Sequence, residues 1–212
     1  MLNFKNLSKS FGSQRIIRSA TGNLGVGTYA LQGSNGSGKS TLLALFAGAL
    51  TPDAGDVLID GLSLTRTPVA ARRRLSYAPD ESPVYTFITG RDFLDFVAKA
   101  KQCAVRGTVV DHAEEWGLSA YLSTRFGAMS LGTQKKFLLC AAWIGEAPVI
   151  LLDEPSNGLD EVARRILARR IAERASNGLV LFVSHDAAFI DACHARILRI
   201  EELLGEPAHT PA

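Results

Sequence analysis

The chain has 212 residues and 22.7 kDa, with 47% hydrophobic and 21% charged residues. That composition excludes a disordered or fibrous protein and predicts one sizeable α/β domain. Its 23 basic and 21 acidic residues leave a net charge of +2 without a long basic stripe, so nucleic acid is not an expected partner.

In chain order, Leu2–Phe4 and Tyr29–Leu31 read as strands, and a helix opens at Lys39 and runs to Leu50. Thr51–Gly55 reads as a turn, followed by a strand over Asp56–Asp60 that stops at Gly61. A helix over Val69–Arg73 leads into a strand at Leu75–Ala78, and residues 90 to about 145 are mostly helical. Within them Phe93, Leu94, Phe96, Val97 and Ala100 recur at helical spacing and predict a core face. Val149–Leu152 and Leu179–Val183 are wholly apolar, as expected of strands buried on both faces; with a helix between them they predict a mostly parallel sheet. A last strand falls around Ala195–Ile200, and Gly205–Ala212 reads as a disordered tail.

Cys103, Cys140 and Cys193 are too few and too widely spaced for a disulfide framework or a structural metal site, which fits a reducing compartment. No window reaches the roughly 18 to 20 apolar residues of a membrane span, and the N-terminus lacks the apolar stretch of a signal peptide. The expectation is a soluble chain that another protein would hold at any membrane where it works.

Between the strand at Tyr29–Leu31 and the helix at Lys39 lies the run Gly33-Ser34-Asn35-Gly36-Ser37-Gly38-Lys39-Ser40-Thr41. Gly33, Gly36 and Gly38 let the backbone turn tightly and direct several N–H groups to one point, where the helix also aims its positive dipole end. The run is a phosphate cradle. Its spacing, G-x-x-x-x-G-K-S, adds Lys39 for the β and γ phosphates of a nucleoside triphosphate and the Ser40 hydroxyl for Mg2+.

The apolar strand at residues 149–152 runs into Asp153 and Glu154. A buried carboxylate is costly unless a cation or hydrogen bonds compensate it, so the pair calls for a metal and a proton. Asp153 is expected to hold magnesium and Glu154 to polarise an attacking water. His185 follows the next apolar strand, which brings it to the same sheet edge as the cradle, within reach of a γ-phosphate and of Glu154.

GSNGSGKST, VILLDEP, SNGLD and VSHD, in this order and over nearly the whole chain, resemble the nucleotide-binding subunit of an ATP-binding cassette (ABC) transporter. Met129–Gln134 aligns with that family's signature, usually written LSGGQ, with Leu131 and Thr133 as departures and Ser130 and Gly132 retained. Ser130 is placed to cap a helix running through about Trp143. The S-L-G form followed by Lys135-Lys136 resembles the variant of export systems.

The resemblance implies a phosphate-loop NTPase core with a mostly parallel sheet flanked by helices, an N-terminal antiparallel β part and a helical signature subdomain. The core would span residues 1–79 and 146–204, and the subdomain about 80–145. It further implies ATP and Mg2+ as cofactors and an ATPase that dimerises around two MgATP, most simply as a homodimer. That dimer would power an integral membrane permease subunit, of an exporter, from the cytoplasmic face of a membrane. In this reading Phe11 stacks on adenine, Ser130 and Gly132 bind the opposite subunit's γ-phosphate, and Asp160 communicates across the dimer. Asp80 stands where the family usually carries a glutamine that senses magnesium, and a carboxylate there can still take the ion. A soluble ABC ATPase acting as a switch on a non-membrane assembly remains the alternative.

Overall fold

The computed structural model describes residues 1–81, 84–102 and 106–204. Cys103 and the tail at residues 205–212 lie outside the described residues. The first half contains β1 (Leu2–Phe11), β2 (Gln14–Leu24), β3 (Gly27–Gln32), α1 (Lys39–Phe46), β4 (Ala54–Ile59), β5 (Leu62–Ser63), α2 (Pro68–Arg73) and β6 (Leu75–Ala78). The second half contains α3 (Gly90–Ala100), α4 (Arg106–Glu115), α5 (Leu131–Trp143), β7 (Val149–Asp153), α6 (Glu161–Arg174), β8 (Leu179–Val183), α7 (Ala187–Ala192), β9 (Arg196–Arg199) and α8 (Ile200–Leu203).

Two sheets form. An antiparallel sheet has the order β2-β1-β4-β5, and a wholly parallel one has the order β6-β7-β8-β3-β9. All five residues of β7 and of β8 are buried. Alternate side chains of a strand point to opposite faces, which is why these strands carry no polar residue until Asp153. Val149, Leu151, Leu179 and Leu181 enter one core with Phe4, Leu42 and Phe46, between α1 and the antiparallel sheet. Ile150, Leu152, Val180 and Phe182 enter the other, with Trp116, Phe137 and Leu167 from the helices.

Four local expectations require correction. β2, an eleven-residue strand, was not foreseen: only Ile17, Ala20 and Leu24 of it are buried, too irregular a spacing for a period-two signal. α1 ends at Phe46 rather than Leu50, because Gly48 takes a φ of +64° and the N–H groups of Ala49 and Leu50 both turn back to the Ala44 carbonyl. β4 starts at Ala54, inside the expected turn. Gly55 fits there because its α-carbon presses on the β1 backbone; a Cβ would sit 2.5 Å from the Lys5 and Asn6 carbonyl oxygens. On α3 the buried stripe is Leu94 and Ala98, with Phe93 and Val97 partly buried. Phe96 is 69% exposed and Ala100 is exposed, since two residues along a helix is about 200° round it.

Candidate active site

The loop from Gly33 to Gly38 joins the end of β3 to the start of α1, at the carboxyl edge of the parallel sheet. Gly36 and Gly38 adopt φ of +77° and +97°, a region open to glycine and strained for other residues. A Cβ on Gly38 would lie 2.7 Å from Ile16 Cγ2, and one on Gly33 would lie 2.5 Å from Ile200 Cγ2. The loop is therefore packed from behind by β2 and α8. Lys39 is 8% exposed, and its ammonium donates to the Gly33 carbonyl at 3.0 Å and the Ser34 carbonyl at 2.9 Å, drawing the chain into a ring. Ser37 donates its N–H to the Ser34 carbonyl, while its buried hydroxyl has no partner among the described residues. Ser34, Asn35 and Ser40 are exposed, and Thr41 is half-buried in the first turn of α1.

Asp153 ends β7 at 5% exposure, and its Oδ1 is buried without a hydrogen-bond partner among the described residues. Burial pushes its carboxyl up from the ordinary value, and Asp80 adds to that; the Ser40 hydroxyl, Lys135 and Lys39 pull it back. An orphaned carboxylate oxygen beside a serine hydroxyl is the donor set that a magnesium ion takes.

Glu154 follows at a φ of +44°, and its N–H donates to the Val183 carbonyl at 3.0 Å, pinning the β7 exit to the end of β8. Its carboxyl is pushed up by burial, pulled back by His185, and raised again by Asp153 and Asp80. His185 Nε2 lies 3.5 Å from Glu154 Oε1, and the half-exposed imidazole also faces a cavity of about 370 Å³ lined by Gly33 and Ser34. The structure thus brings Lys39, Ser40, Asp80, Asp153, Glu154 and His185 to one edge of the sheet.

Ser130 and Gly132 sit elsewhere. Ser130 caps α5, its Oγ accepting from the Thr133 N–H at 3.2 Å, as expected from the sequence. Gly132 lies against the Gly158 carbonyl, which a Cβ would approach to 3.0 Å, and Lys136 pairs with Asp160. Asp160 in turn caps α6 through the Ala163 N–H at 2.8 Å; the Lys136 bond is the first cause holding its carboxyl below the usual range. Phe11, 51% exposed at the end of β1, stands in the hairpin whose second strand packs Ile16 on the phosphate loop. The Lys9 ammonium lies 5.7 Å from its ring centroid.

Three residues beside the cradle were given no place in the site by the sequence, Lys135 being read only as part of the signature's basic pair. Arg199 and Glu201 line the cavity at Gly33 because β9 pairs with β3, placing Arg199 opposite Gln32; Lys135 reaches Asp80 and the Asp153 carbonyl. No periodic or motif signal marks the first two. Lys135 had a signal, as a lysine on an otherwise apolar face of α5.

The profile described as "ABC transporter" matches residues 25–157. Among curated proteins, the chain is 31% identical to ABC transporter A family member 4 of Dictyostelium discoideum over 91% of its own length and 12% of that protein's. It is 28% identical to the phospholipid-transporting ATPase ABCA7 of Homo sapiens over 99% of its length and 10% of that protein's. It therefore spans about a tenth of these relatives. Among solved structures, an ATP-binding subunit of an ABC transporter superposes with a TM-score of 0.85 at 29% identity, covering 94% of this chain and 87% of that one. A dimeric ATP-binding cassette in a post-hydrolysis state bound to ADP and Pi superposes at 0.83 with 20% identity, covering 94% of each, a likeness of fold. Among the described residues, no helix is long and apolar enough to cross a membrane.

Proposed function

Because this chain belongs to the ABC transporter family, whose ATPase domain it is, we propose that two copies close around two MgATP, reopen on hydrolysis and thereby drive a membrane-spanning permease. We further assign it to the export-type branch, on its S-L-G signature, and read residues from about 80 to 145 as the helical signature subdomain. The observation that carries the catalytic assignment is the Asp153 Oδ1 beside Ser40, without a hydrogen-bond partner among the described residues, one residue before a Glu154 within 3.5 Å of His185.

In this reading the Gly33–Gly38 amides and Lys39 bind the phosphates, and Phe11 lies against the adenine. Ser40 and Asp153 would hold magnesium, with Asp80 as an outer acceptor. The ion supplies charge neutralisation on the phosphate oxygens. Glu154, its carboxyl raised toward the range useful to a base, accepts a proton from the attacking water, and His185 holds that carboxylate in register. Ser130, Gly132 and Asp160 face the second copy.

Glu154→Gln keeps the size and removes the base. The variant is expected to bind ATP as the parent does, to lose on the order of 10² to 10⁴ in turnover, and to elute as a MgATP-dependent dimer in gel filtration. Hydrolysis at the parent's rate would dispose of the assigned base. Capture of that dimer from mildly solubilised membranes should recover a stoichiometric polytopic protein; recovery of soluble proteins alone would replace transport with a soluble switch.

A further inference from the structure

Lys135 lies in the second turn of α5 and is 7% exposed, a burial that an ammonium tolerates only with acceptors around it. It has three. Its Nζ donates to the Asp80 carbonyl at 3.0 Å, to Asp80 Oδ1 at 3.0 Å and to the Asp153 carbonyl at 3.4 Å. An ammonium has three protons, so every donor has an acceptor, and all of them belong to the two segments that carry the carboxylates of the site. A glutamine side chain in place of Asp80 would offer no charge to this ammonium.

We propose that Lys135 is a positioning residue: it holds the Asp80 carboxylate on its ammonium and clamps the residue-80 loop and the end of β7 to α5. The inference rests on the reading of Asp80, Asp153 and Ser40 as the magnesium end of the site. Two consequences follow from the geometry. Asp80, 46% exposed in its side chain, is kept from competing with Asp153 as a direct ligand of the ion. Ser130, which faces the second copy's ATP in that reading, is also joined to the chain's own Asp153 through five residues of helix, about 7.5 Å of rigid backbone. An event at the opposite nucleotide is thereby transmitted to the magnesium end of this one.

The test uses the whole chain with Lys135→Met, Asp80→Gln and the double variant. Each is measured for turnover with Glu154 intact and, in the Glu154→Gln background, for Mg2+-dependent binding of a fluorescent ATP analogue. Lys135→Met is expected to lower kcat at least tenfold with KM for ATP within threefold, and to lower the half-saturating Mg2+ concentration at least threefold as the freed Asp80 takes the ion. Both effects should shrink below twofold when Asp80 is glutamine. An unmoved Mg2+ requirement, or an equal shift in both backgrounds, would overturn the proposal and leave Lys135 a packing residue. If Lys135→Met does not fold, the double variant, which carries no lone buried charge, decides. Its half-saturating Mg2+ should match that of Asp80→Gln, and a departure beyond threefold overturns the clamp. Lys39→Ala, measured alongside, tests the site itself: nucleotide affinity equal to the parent's would sink the site reading, whereas weakened affinity with a silent Lys135→Met sinks only this inference.

Discussion

The two left-handed glycines of the phosphate loop separate backbone strain from packing. At Gly36, φ is +77° and nothing lies within 4 Å of an added Cβ, so Gly36→Ala meets the conformational cost alone, about 1–2 kcal/mol. At Gly38, φ is +97° and the new methyl meets Ile16 Cγ2 at 2.7 Å and Ile17 Cδ1 at 3.1 Å. β-Branched side chains on a paired strand yield little, so Gly38→Ala adds an overpacking cost of about 1–3 kcal/mol. The totals are about 1–2 and about 2–5 kcal/mol, and a domain of this size loses roughly 2–4 °C of Tm per kcal/mol. Differential scanning fluorimetry without nucleotide should therefore place Gly36→Ala about 2–8 °C below the parent and Gly38→Ala about 4–20 °C below. Titration with a fluorescent ATP analogue should find Gly38→Ala at least tenfold weaker, because relief of the clash displaces the adjacent Lys39. A Gly36→Ala protein that melts below Gly38→Ala would refute the division of the two costs.

Phe11→Ala should weaken ATP binding by an amount corresponding to about 1–3 kcal/mol of lost base stacking and leave Tm unchanged, since the ring is half-exposed; unchanged affinity would remove Phe11 from the site. His112 is held below its ordinary value first by burial and then by Arg170, whose Nη2 lies 3.2 Å from Nδ1. As pH falls through 6.5 the unfolded chain takes up a proton that the native imidazole refuses. The associated stability is thus present above that pH and lost below it. The parent should lose more Tm than His112→Gln between about pH 7.5 and 5.5, and equal slopes would contradict this. Leu131, 83% exposed at the first position of α5, can take a negative charge without harm to the helix, whose dipole favours one there. Leu131→Glu should keep or raise the monomer's Tm while abolishing the MgATP-dependent dimer of the Glu154→Gln form, and a dimer of parental stability would remove this face from the interface.

What was legible in the sequence follows from how many constraints each segment meets. The apolar runs of β7 and β8 are buried on both faces, so composition alone identifies them as strands. GSNGSGKST is legible because a left-handed turn, a helix start and an ammonium must coincide within nine residues. β2 is opaque for the opposite reason: most of it is exposed, and its pairing with β1 shifts register between Leu7 and Ser10, so no period survives. Arg199 and Glu201 escape because they reach the cradle through the β3–β9 pairing, a contact across more than 160 residues that no local pattern encodes. Asp80 reads in the sequence as a departure from the family's glutamine whose carboxylate can still take the ion; the structure supplies its partner, Lys135, from a helix 55 residues away.

The placement of Ser130 away from its own phosphate loop bears on why a single copy would be incomplete. The N-termini of α5 and α6 lie side by side, joined by the Gly132–Gly158 approach and the Lys136–Asp160 pair, and each is capped by a side chain, Ser130 on α5 and Asp160 on α6. Leu131 and Val162, 83% and 59% exposed, stand at those same helix starts. One exposed leucine is unremarkable on any protein surface. Apolar residues beside two capped helix starts instead make a face that could bury hydrophobic area and receive an anion at once. In the proposed reading this chain's own phosphate-binding groups are those of the Gly33–Lys39 loop, whereas Ser130 and Asp160 stand on other elements, at the starts of α5 and α6. A second copy, presenting its own loop-bound triphosphate to that face, would supply both the anion and the apolar cover; on this reading the two nucleotide sites are completed together.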